Sequence, residues 1–467
     1  MDDREYMRMA LEYAKKGSGW TSPNPMVGAV IVKDGRVIGT GWHEKYGQPH
    51  AERNALASCI ESPKGAVMYV TLEPCCHYGK QPPCVEAVLE AGISRVVIGS
   101  ADPNPLVSGK GVQILQKHGV QVIENVLREE CDRLNEVFFY YIQNKKPFVV
   151  MKYAMTLDGK IAAHTGLSKW ITGETARNHV QQLRHRYTGI MAGIGTVLAD
   201  DPLLTCRIPG CKNPVRIICD TNLRIPLTSQ IVTTANEITT VIAACSPDRE
   251  KKAALEQAGC RVLQTDKKNG HVDLQQLMSM LGAEQVDSIL LEGGGTLNWA
   301  ALESGIVQKV LAYTAPKMFG GNTARTPVEG TGVSSPAEAF ILKNSSITKL
   351  GEDFLIEGTV AEIKTAEGTV SETGRAEGLA AEVKDREGTV TETGRAEGLA
   401  AELKDAEGTV TETGRAEGLA AELRDAEGAK LSVTEELAGN LLKKGLPEED
   451  TAAHSGPACT EGKRGDA

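Results

Sequence analysis

Aromatic residues are scarce in this chain. Only 20 of its 467 residues are Phe, Tyr or Trp, and none lies beyond Phe354. Long apolar runs are missing too. None approaches the ~18–20 residues that a bilayer demands, which excludes a membrane-spanning helix and a membrane partner. The opening Met1-Asp2-Asp3-Arg4 and the polar helical pattern behind it do not read as a secretory signal. The main body also lacks a surplus of either charge. Residues 1–360 carry a net charge of +1, whereas residues 361–467 hold 13 Lys/Arg against 24 Asp/Glu, so the whole-chain value of −10 belongs to the C-terminal stretch. A near-neutral body argues against a nucleic-acid partner held by a basic surface. Cysteine, by contrast, is present 11 times. Without a signal segment these thiols are expected to be reduced and the chain cytoplasmic, so a cysteine cluster points to a metal rather than to disulfides.

The pattern along the chain is that of an α/β protein. Met7, Ala10, Leu11 and Ala14 recur at helical spacing. Val27–Lys33 and Arg36–Gly41 flank Asp34-Gly35, a hairpin turn sequence. Helices are expected over His50–Ile60, Cys84–Glu90 and Val112–Lys117, and strands over Ala66–Leu72, Arg95–Ile98 and Val120–Ile123. A polar break at Asn144-Lys145-Lys146-Pro147 precedes a second series. Its strands are expected at Phe148–Tyr153, Gly189–Ala192, Val215–Cys219, Thr239–Ala244, Ser288–Leu291, Val307–Ala312 and Phe354–Thr359. Its helices are expected at Thr175–Arg186, Asp248–Ala258, Leu274–Leu281 and Thr296–Glu303. Beyond residue 360 a 20-residue unit recurs from Glu367, Glu387 and Glu407 with few large apolar side chains. Such units bury too little to offset their ordering entropy. The division is therefore 1–144, 145–360 and an acidic, low-complexity, disordered repeat tail at 361–467.

The strongest local chemistry lies in the first segment. His50-Ala51-Glu52 is followed by Pro74-Cys75 and by Cys84. One imidazole and two thiolates give Zn²⁺ three ligands and leave a fourth position for water. Zinc lowers the pKa of that water toward ~7. Glu52, two residues after His50 at a helix start, is placed as the catalytic proton carrier. H-x-E with P-C-x-x-C is the general zinc-deaminase pattern. Here the second half is longer, and Cys76, His77 and Lys80 lie between the two cysteines as rival ligands. Cys75 is preferred because it follows Pro74 at a strand end, and Cys84 because a thiolate at a helix N-terminus is stabilised there.

Thr21-Ser22-Pro23-Asn24-Pro25-Met26-Val27-Gly28, Gly41-Trp42-His43, His50-Ala51-Glu52 and Thr71–Lys80 together resemble the deaminase half of bacterial bifunctional riboflavin-biosynthesis deaminase–reductases. The long Cys75-to-Cys84 loop resembles that family as well. The resemblance implies a cytidine-deaminase-like α/β/α domain. It also implies hydrolytic deamination of 2,5-diamino-6-ribosylamino-4(3H)-pyrimidinone 5′-phosphate, with Asn24, His43 and Lys80 as substrate contacts. The alternative is a zinc deaminase of a nucleoside or a tRNA base, carried with a separate reductase-like domain.

The second segment lacks the G-x-G-x-x-G fingerprint after its first strand, which disfavours a standard dinucleotide fold. It offers Leu290-Leu291-Glu292-Gly293-Gly294-Gly295-Thr296 instead, a strand running into glycines and a helix, where backbone N–H groups can meet phosphate. With Met155–Lys160, Ser168–Gly173 and Gly193–Pro202, this run resembles the reductase half of the same family, whose fold is like dihydrofolate reductase. The resemblance implies NADPH-dependent reduction of a ribosyl to a ribityl chain. It further implies a cofactor site lined by Ala154, Trp170, Thr196, Asp200 and Thr221, with Gly294, Gly295, Thr296, Leu297 and Asn298 on the phosphates. Ser168, Arg184, Leu204, Arg207 and Glu292 would then meet the small-molecule pyrimidine ribotide. Homo-oligomerisation is implied by the resemblance alone. Lys152 reads as a lysine beside an apolar strand, with its stem on the surface, and is given no catalytic role.

Overall fold

The computed structural model describes residues 1–104 and 107–361, so the expected repeat tail lies outside the described residues apart from its first position. The N-terminal elements are α1 (Asp3–Lys15), β1 (Gly28–Lys33), β2 (Arg36–Trp42), α2 (Ala51–Ala57), β3 (Val67–Leu72), α3 (Cys84–Glu90), β4 (Arg95–Ser100), α4 (Lys110–Lys117), β5 (Gln121–Ile123), α5 (Arg128–Leu134) and α6 (Glu136–Asn144). Their five strands form one sheet in the order β2-β1-β3-β4-β5. The β1–β2 and β1–β3 pairs are antiparallel, and β3, β4 and β5 run parallel. Alternation along each strand serves two cores. Val30, Val32, Tyr69 and Val97 face Met7, Ala10 and Leu11 of α1. Ala29, Ile31, Met68, Val70, Val96 and Ile98 face Ala51 and Ala55 of α2, Val85 and Val88 of α3, and Val112 and Leu115 of α4. The result is an α/β/α sandwich.

The second series begins with β6 (Phe148–Thr156), α7 (Glu174–Arg186), β7 (Gly189–Gly193), α8 (Ile194–Asp200), β8 (Val215–Cys219), α9 (Gln230–Thr233), β9 (Thr240–Ala244), α10 (Arg249–Gln257) and β10 (Arg261–Gln264). A short hairpin, β11 (Lys267–Lys268) and β12 (His271–Val272), precedes α11 (Leu274–Ala283), β13 (Ser288–Leu291), α12 (Gly295–Glu303), β14 (Val307–Ala315), β15 (Leu342–Leu350) and β16 (Asp353–Val360). Nine strands form a sheet in the order β10-β9-β8-β7-β13-β6-β14-β16-β15. It is parallel from β10 to β14; β16 then pairs antiparallel with β14, and β15 antiparallel with β16. Leu277, Met278 and Leu281 of α11 and Ala301 and Leu302 of α12 cover one face. Ala176 and Leu183 of α7 cover part of the other.

Several elements went unread in the sequence. Both α5 and α6 are absent from the expected pattern, as are α8, α9, β10 and β15. The α8 helix ends at Asp200 and hands over to Asp201 at φ 38. Every residue of β15 from Lys343 to Lys349 is exposed, so no alternation marks it.

Close backbone approach fixes α2, the helix that bears Glu52. Gly41 in β2 lies so near it that an added Cβ would stand 2.3 Å from Ala55 N and 2.6 Å from Ala51 O. These are backbone atoms, which cannot rotate away. Gly41→Ala is expected to cost about 1–3 kcal/mol and to weaken zinc retention by shifting α2. Thermal unfolding and zinc titration of the purified variant check both; an unchanged Tm with full zinc content would show that the approach is not tight.

Candidate functional site

Three elements deliver three soft donors to one point. His50 is the residue before α2 and has extended backbone. Cys75 lies beyond the end of β3, and Cys84 opens α3. His50 Nδ1 lies 3.5 Å from Cys75 Sγ and 3.4 Å from Cys84 Sγ. All three ligand atoms fall within 4.8 Å of one another. Tetrahedral Zn–S and Zn–N bonds of about 2.3 and 2.0–2.1 Å put sulfur and nitrogen about 3.6 Å apart, so the trio fits zinc. Among the described residues, Cys76 and His77 stay outside this group. Cys76 packs against the core instead.

Local sequence explains the convergence. Arg53, on α2, donates to the Pro83 carbonyl at 2.9 Å and the Pro82 carbonyl at 3.3 Å, pinning the chain just ahead of Cys84. Glu73 is buried and accepts amide N–H groups from Gly109, Gly111 and Val112 at 2.9, 3.0 and 3.3 Å. That anchors the residue two before Cys75 to the start of α4. The Cys84 amide points at Cys75 Sγ, 3.4 Å away. Hydrogen bonds from the Cys84 thiol and from His50 hold the Cys75 thiol well below its usual range. Cys84, conversely, is pushed up. The amide at the start of α3 therefore serves the sulfur of Cys75.

Glu52 is only 3% exposed. Burial raises its carboxyl pKa first, and the negative charge of Cys75 adds to it. A carboxyl poised upward can both take and return a proton near neutral pH. His43 is buried, and its burial lowers the imidazole pKa, so the ring is neutral at pH 7. Its Nδ1 lies 3.1 Å from the Pro49 carbonyl and its Nε2 3.3 Å from Asn24 Nδ2. The carbonyl can only accept, so Nδ1 carries the proton and Nε2 accepts from Asn24. The His43 ring also meets the edge of His50, with centroids 5.2 Å apart. Lys80 is exposed, and its Nζ rests 4.0 Å from the centre of the Tyr46 ring. Asp102 was not singled out from the sequence. Burial raises its carboxyl to about 6, with the charges of Glu73 and Cys75 adding to the effect.

The second site is a cavity of about 890 Å³ along the carboxyl ends of the parallel strands. Ligands in open α/β sheets sit at such ends. Ala154, Ser168, Trp170, Thr196, Asp200 and Thr221 all line it, as do Arg184, Arg207, Glu292 and the turn Gly294 to Leu297. Leu204 and Asn298 do not. Leu204 is packed in the core. Asn298 is wholly buried and donates to the Pro327 carbonyl at 2.8 Å, so its side chain holds the glycine turn's surroundings rather than facing the cavity. Gly294 has no atom within 4 Å of where a Cβ would stand, which leaves open space for a phosphate over the start of α12. Trp170 is 58% exposed, and the Arg177 guanidinium lies 4.7 Å from its ring centre.

At the cavity floor Glu292 lies between two cations. Arg184 Nε and Nη2 meet its two oxygens at 2.8 and 3.0 Å, and Lys152 Nζ lies 2.9 Å from Oε2. A third Arg184 donor goes to the Thr205 carbonyl at 3.0 Å. Arg184 thus holds Glu292 first and keeps few donors for a ligand. Burial alone would push the Glu292 carboxyl up, but Arg184 and Lys152 outweigh it and hold it well below the usual range. Lys152 is not the surface lysine expected; its side chain is 12% exposed and lines the cavity. The signal was strand alternation, which puts Lys152 on the same face as Ala154.

Glu292→Gln leaves Arg184 and Lys152 without their shared anion and is expected to cost about 3–5 kcal/mol at pH 7. Because the folded-state pKa is depressed, the carboxylate's contribution is complete above its unfolded value near 4.3 and fades as pH falls below that. The stability gap between wild type and variant should therefore narrow in denaturant melts below about pH 4. A gap that stays constant with pH would show that the ion triad is not its source.

Two family descriptions match the chain. The cytidine and deoxycytidylate deaminase zinc-binding region covers residues 1–100, and the RibD C-terminal domain covers residues 147–356. The riboflavin biosynthesis protein RibD of Actinobacillus pleuropneumoniae is 54% identical over 360 residues, spanning 77% of this chain and 96% of its own. That of Aquifex aeolicus is 41% identical over 355 residues, spanning 76% and 97%. Among solved structures, Acinetobacter baumannii RibD superposes with a TM-score of 0.69 at 37% identity, over 77% of this chain and 99% of that one. The Thermotoga maritima diaminohydroxyphosphoribosylaminopyrimidine deaminase/5-amino-6-(5-phosphoribosylamino)uracil reductase superposes with a TM-score of 0.67 at 38% identity, over the same shares of 77% and 99%. With a zinc-fitting donor trio in one half and a dinucleotide-sized cavity in the other, the chain belongs to the RibD family of bifunctional riboflavin-biosynthesis enzymes, a zinc deaminase joined to an NADPH-dependent reductase.

Proposed function

We propose that residues 1–144 deaminate 2,5-diamino-6-ribosylamino-4(3H)-pyrimidinone 5′-phosphate and that residues 145–360 reduce the ribosyl group of the product to ribityl. The single observation that carries the first step is the convergence of His50, Cys75 and Cys84 beside the buried Glu52. When bound, zinc supplies a water of lowered pKa. Glu52 takes a proton from the water that attacks C2 of the pyrimidine and returns it to the departing amine. One C–N bond breaks, one C–O bond forms, and ammonia leaves. Asn24, held by neutral His43, orients the ring or ribose, and Lys80 meets the phosphate as a point charge.

For the second step, Trp170, Thr196, Asp200, Thr221 and the glycine turn are the residues that would hold NADPH. When bound, it supplies a hydride for ribose C1′. The C1′–O4′ bond opens and the ring oxygen needs a proton. Lys152, on β6 and 2.9 Å from Glu292, is the group that can give it. Ser168 and Arg207 flank the substrate end, Arg207 suiting its phosphate. Leu204 and Asn298 support these walls from behind. Arg224 lines the cavity beside Thr221 and takes part in none of the ion pairs of the described residues, so it suits the extra 2′-phosphate. A homo-oligomer fits the exposed edge strand β15, whose open backbone groups invite pairing. Among the described residues no disulfide joins two cysteines, which supports a cytoplasmic setting.

Glu52→Gln should retain zinc yet release ammonia from the ribotide at least ~100-fold more slowly, while still oxidising NADPH when given the deaminated ribotide. Ammonia release at the wild-type rate would remove Glu52 from the chemistry. Arg224→Gln should weaken NADPH binding by about 2 kcal/mol, roughly thirtyfold, and leave NADH binding unchanged. Calorimetric titration with both nucleotides reads this; equal losses for both would place the 2′-phosphate elsewhere.

A further inference from the structure

Segment 17–26 belongs to the deaminase half but is seated on the reductase half. It carries Asn24, whose side chain meets His43 at 3.3 Å. Its Trp20 carbonyl also accepts from the Tyr46 N–H at 3.1 Å, and Tyr46 is the ring on which Lys80 rests. Two substrate-facing groups therefore depend on one stretch that is neither helix nor strand. Its seat is His185, in the last turn of α7. The His185 ring meets the edge of Trp20 with centroids 5.0 Å apart. At Gly19, with φ +79, a Cβ would lie 2.6 Å from His185 Nε2, so backbone and ring are in close contact. His185 Nδ1 accepts from Lys212 N at 3.2 Å, which puts the ring proton on Nε2, and the backbone of Ser18 hydrogen-bonds to the ring. The preceding residue is Arg184, whose guanidinium holds Glu292 in the reductase cavity.

We infer that His185 is a positioning residue for the deaminase: a side chain of the reductase half fixes Asn24 and the Tyr46–Lys80 pair in their substrate-binding arrangement. His185 touches no substrate itself and acts through Ser18, Gly19 and Trp20. The inference rests on the substrate roles proposed above for Asn24 and Lys80. Loss of the ring frees segment 17–26, so the ribotide binds less well while the zinc site and Glu52 keep their places.

The test is steady-state deamination by the full chain, with zinc content measured on each sample. His185→Ala should raise the KM for the ribotide about tenfold, with kcat within about twofold of wild type. Zinc content and the reduction of deaminated ribotide should stay as in wild type. Residue 185 as Gln can still accept from Lys212 and donate to Ser18, so His185→Gln should restore most of the KM, whereas His185→Phe keeps only the edge contact and should not. Should the Ala variant fail to fold, the Gln and Phe pair decides the matter by the same readout. A wild-type KM in His185→Ala, or equal KM values in the Gln and Phe variants, overturns the inference. Asn24→Ala, run alongside, tests the underlying reading separately: its KM must rise, and a wild-type value removes Asn24 from substrate binding whatever His185 does.

Discussion

The N-terminal half is organised around three atoms that must meet: one imidazole nitrogen and two sulfurs from separate elements. No local stretch of chain could bring them together, since His50 precedes one helix, Cys84 opens another and Cys75 leaves a strand. The sheet sets the strand end, and the packing of α2 and α3 against one core brings the helix starts to it. Arg53 and Glu73 then fix the two loops that remain. Burial of Glu52 follows from the same arrangement, because a side chain in the first turn of α2 points into the layer between helix and sheet. The position of Glu52, the proposed proton carrier, is thus a consequence of placing the three proposed metal ligands.

The second half meets a different constraint. A largely buried carboxylate costs several kcal/mol unless it is paired, and Glu292, 11% exposed, is paired twice. The triad with Arg184 and Lys152 joins α7, β6 and the turn after β13 at the point where the apolar face beneath α7 becomes polar. It fixes the cavity floor and holds the Lys152 side chain within it. Because His185 follows Arg184 on α7, one helix end bears on both sites, with the reductase floor on one side and the seat of a deaminase segment on the other.

Much of this was legible in the residues. Cys84–Glu90, Val215–Cys219 and Ser288–Leu291 are elements with the ends that their apolar spacing gives, and Asp34-Gly35 is the hairpin turn between β1 and β2. The metal trio could be named because each ligand sits beside a local marker, Glu52 or a proline. What escaped had no local marker. The α8 helix is short and begins at glycine-rich sequence. The β15 strand is exposed throughout and carries no period of two. Lys152 was set aside because a lysine near an apolar strand usually reaches solvent, and only the tertiary position of Glu292 reveals otherwise. Arg184 was expected on the substrate, yet its geometry is spent mainly on Glu292. Pairings between residues far apart in the chain are what a single sequence conceals.

The account depends on a zinc ion with three protein ligands and one position left to solvent. X-ray absorption at the zinc edge of the purified full-length protein measures this directly. The expected spectrum fits two sulfur scatterers at about 2.3 Å and two light scatterers at about 2.0–2.1 Å, one of them the imidazole and the other exchangeable solvent. A third sulfur, or a second imidazole in place of the solvent, would close the position where the nucleophile forms and contradict the deaminase chemistry assigned to this half.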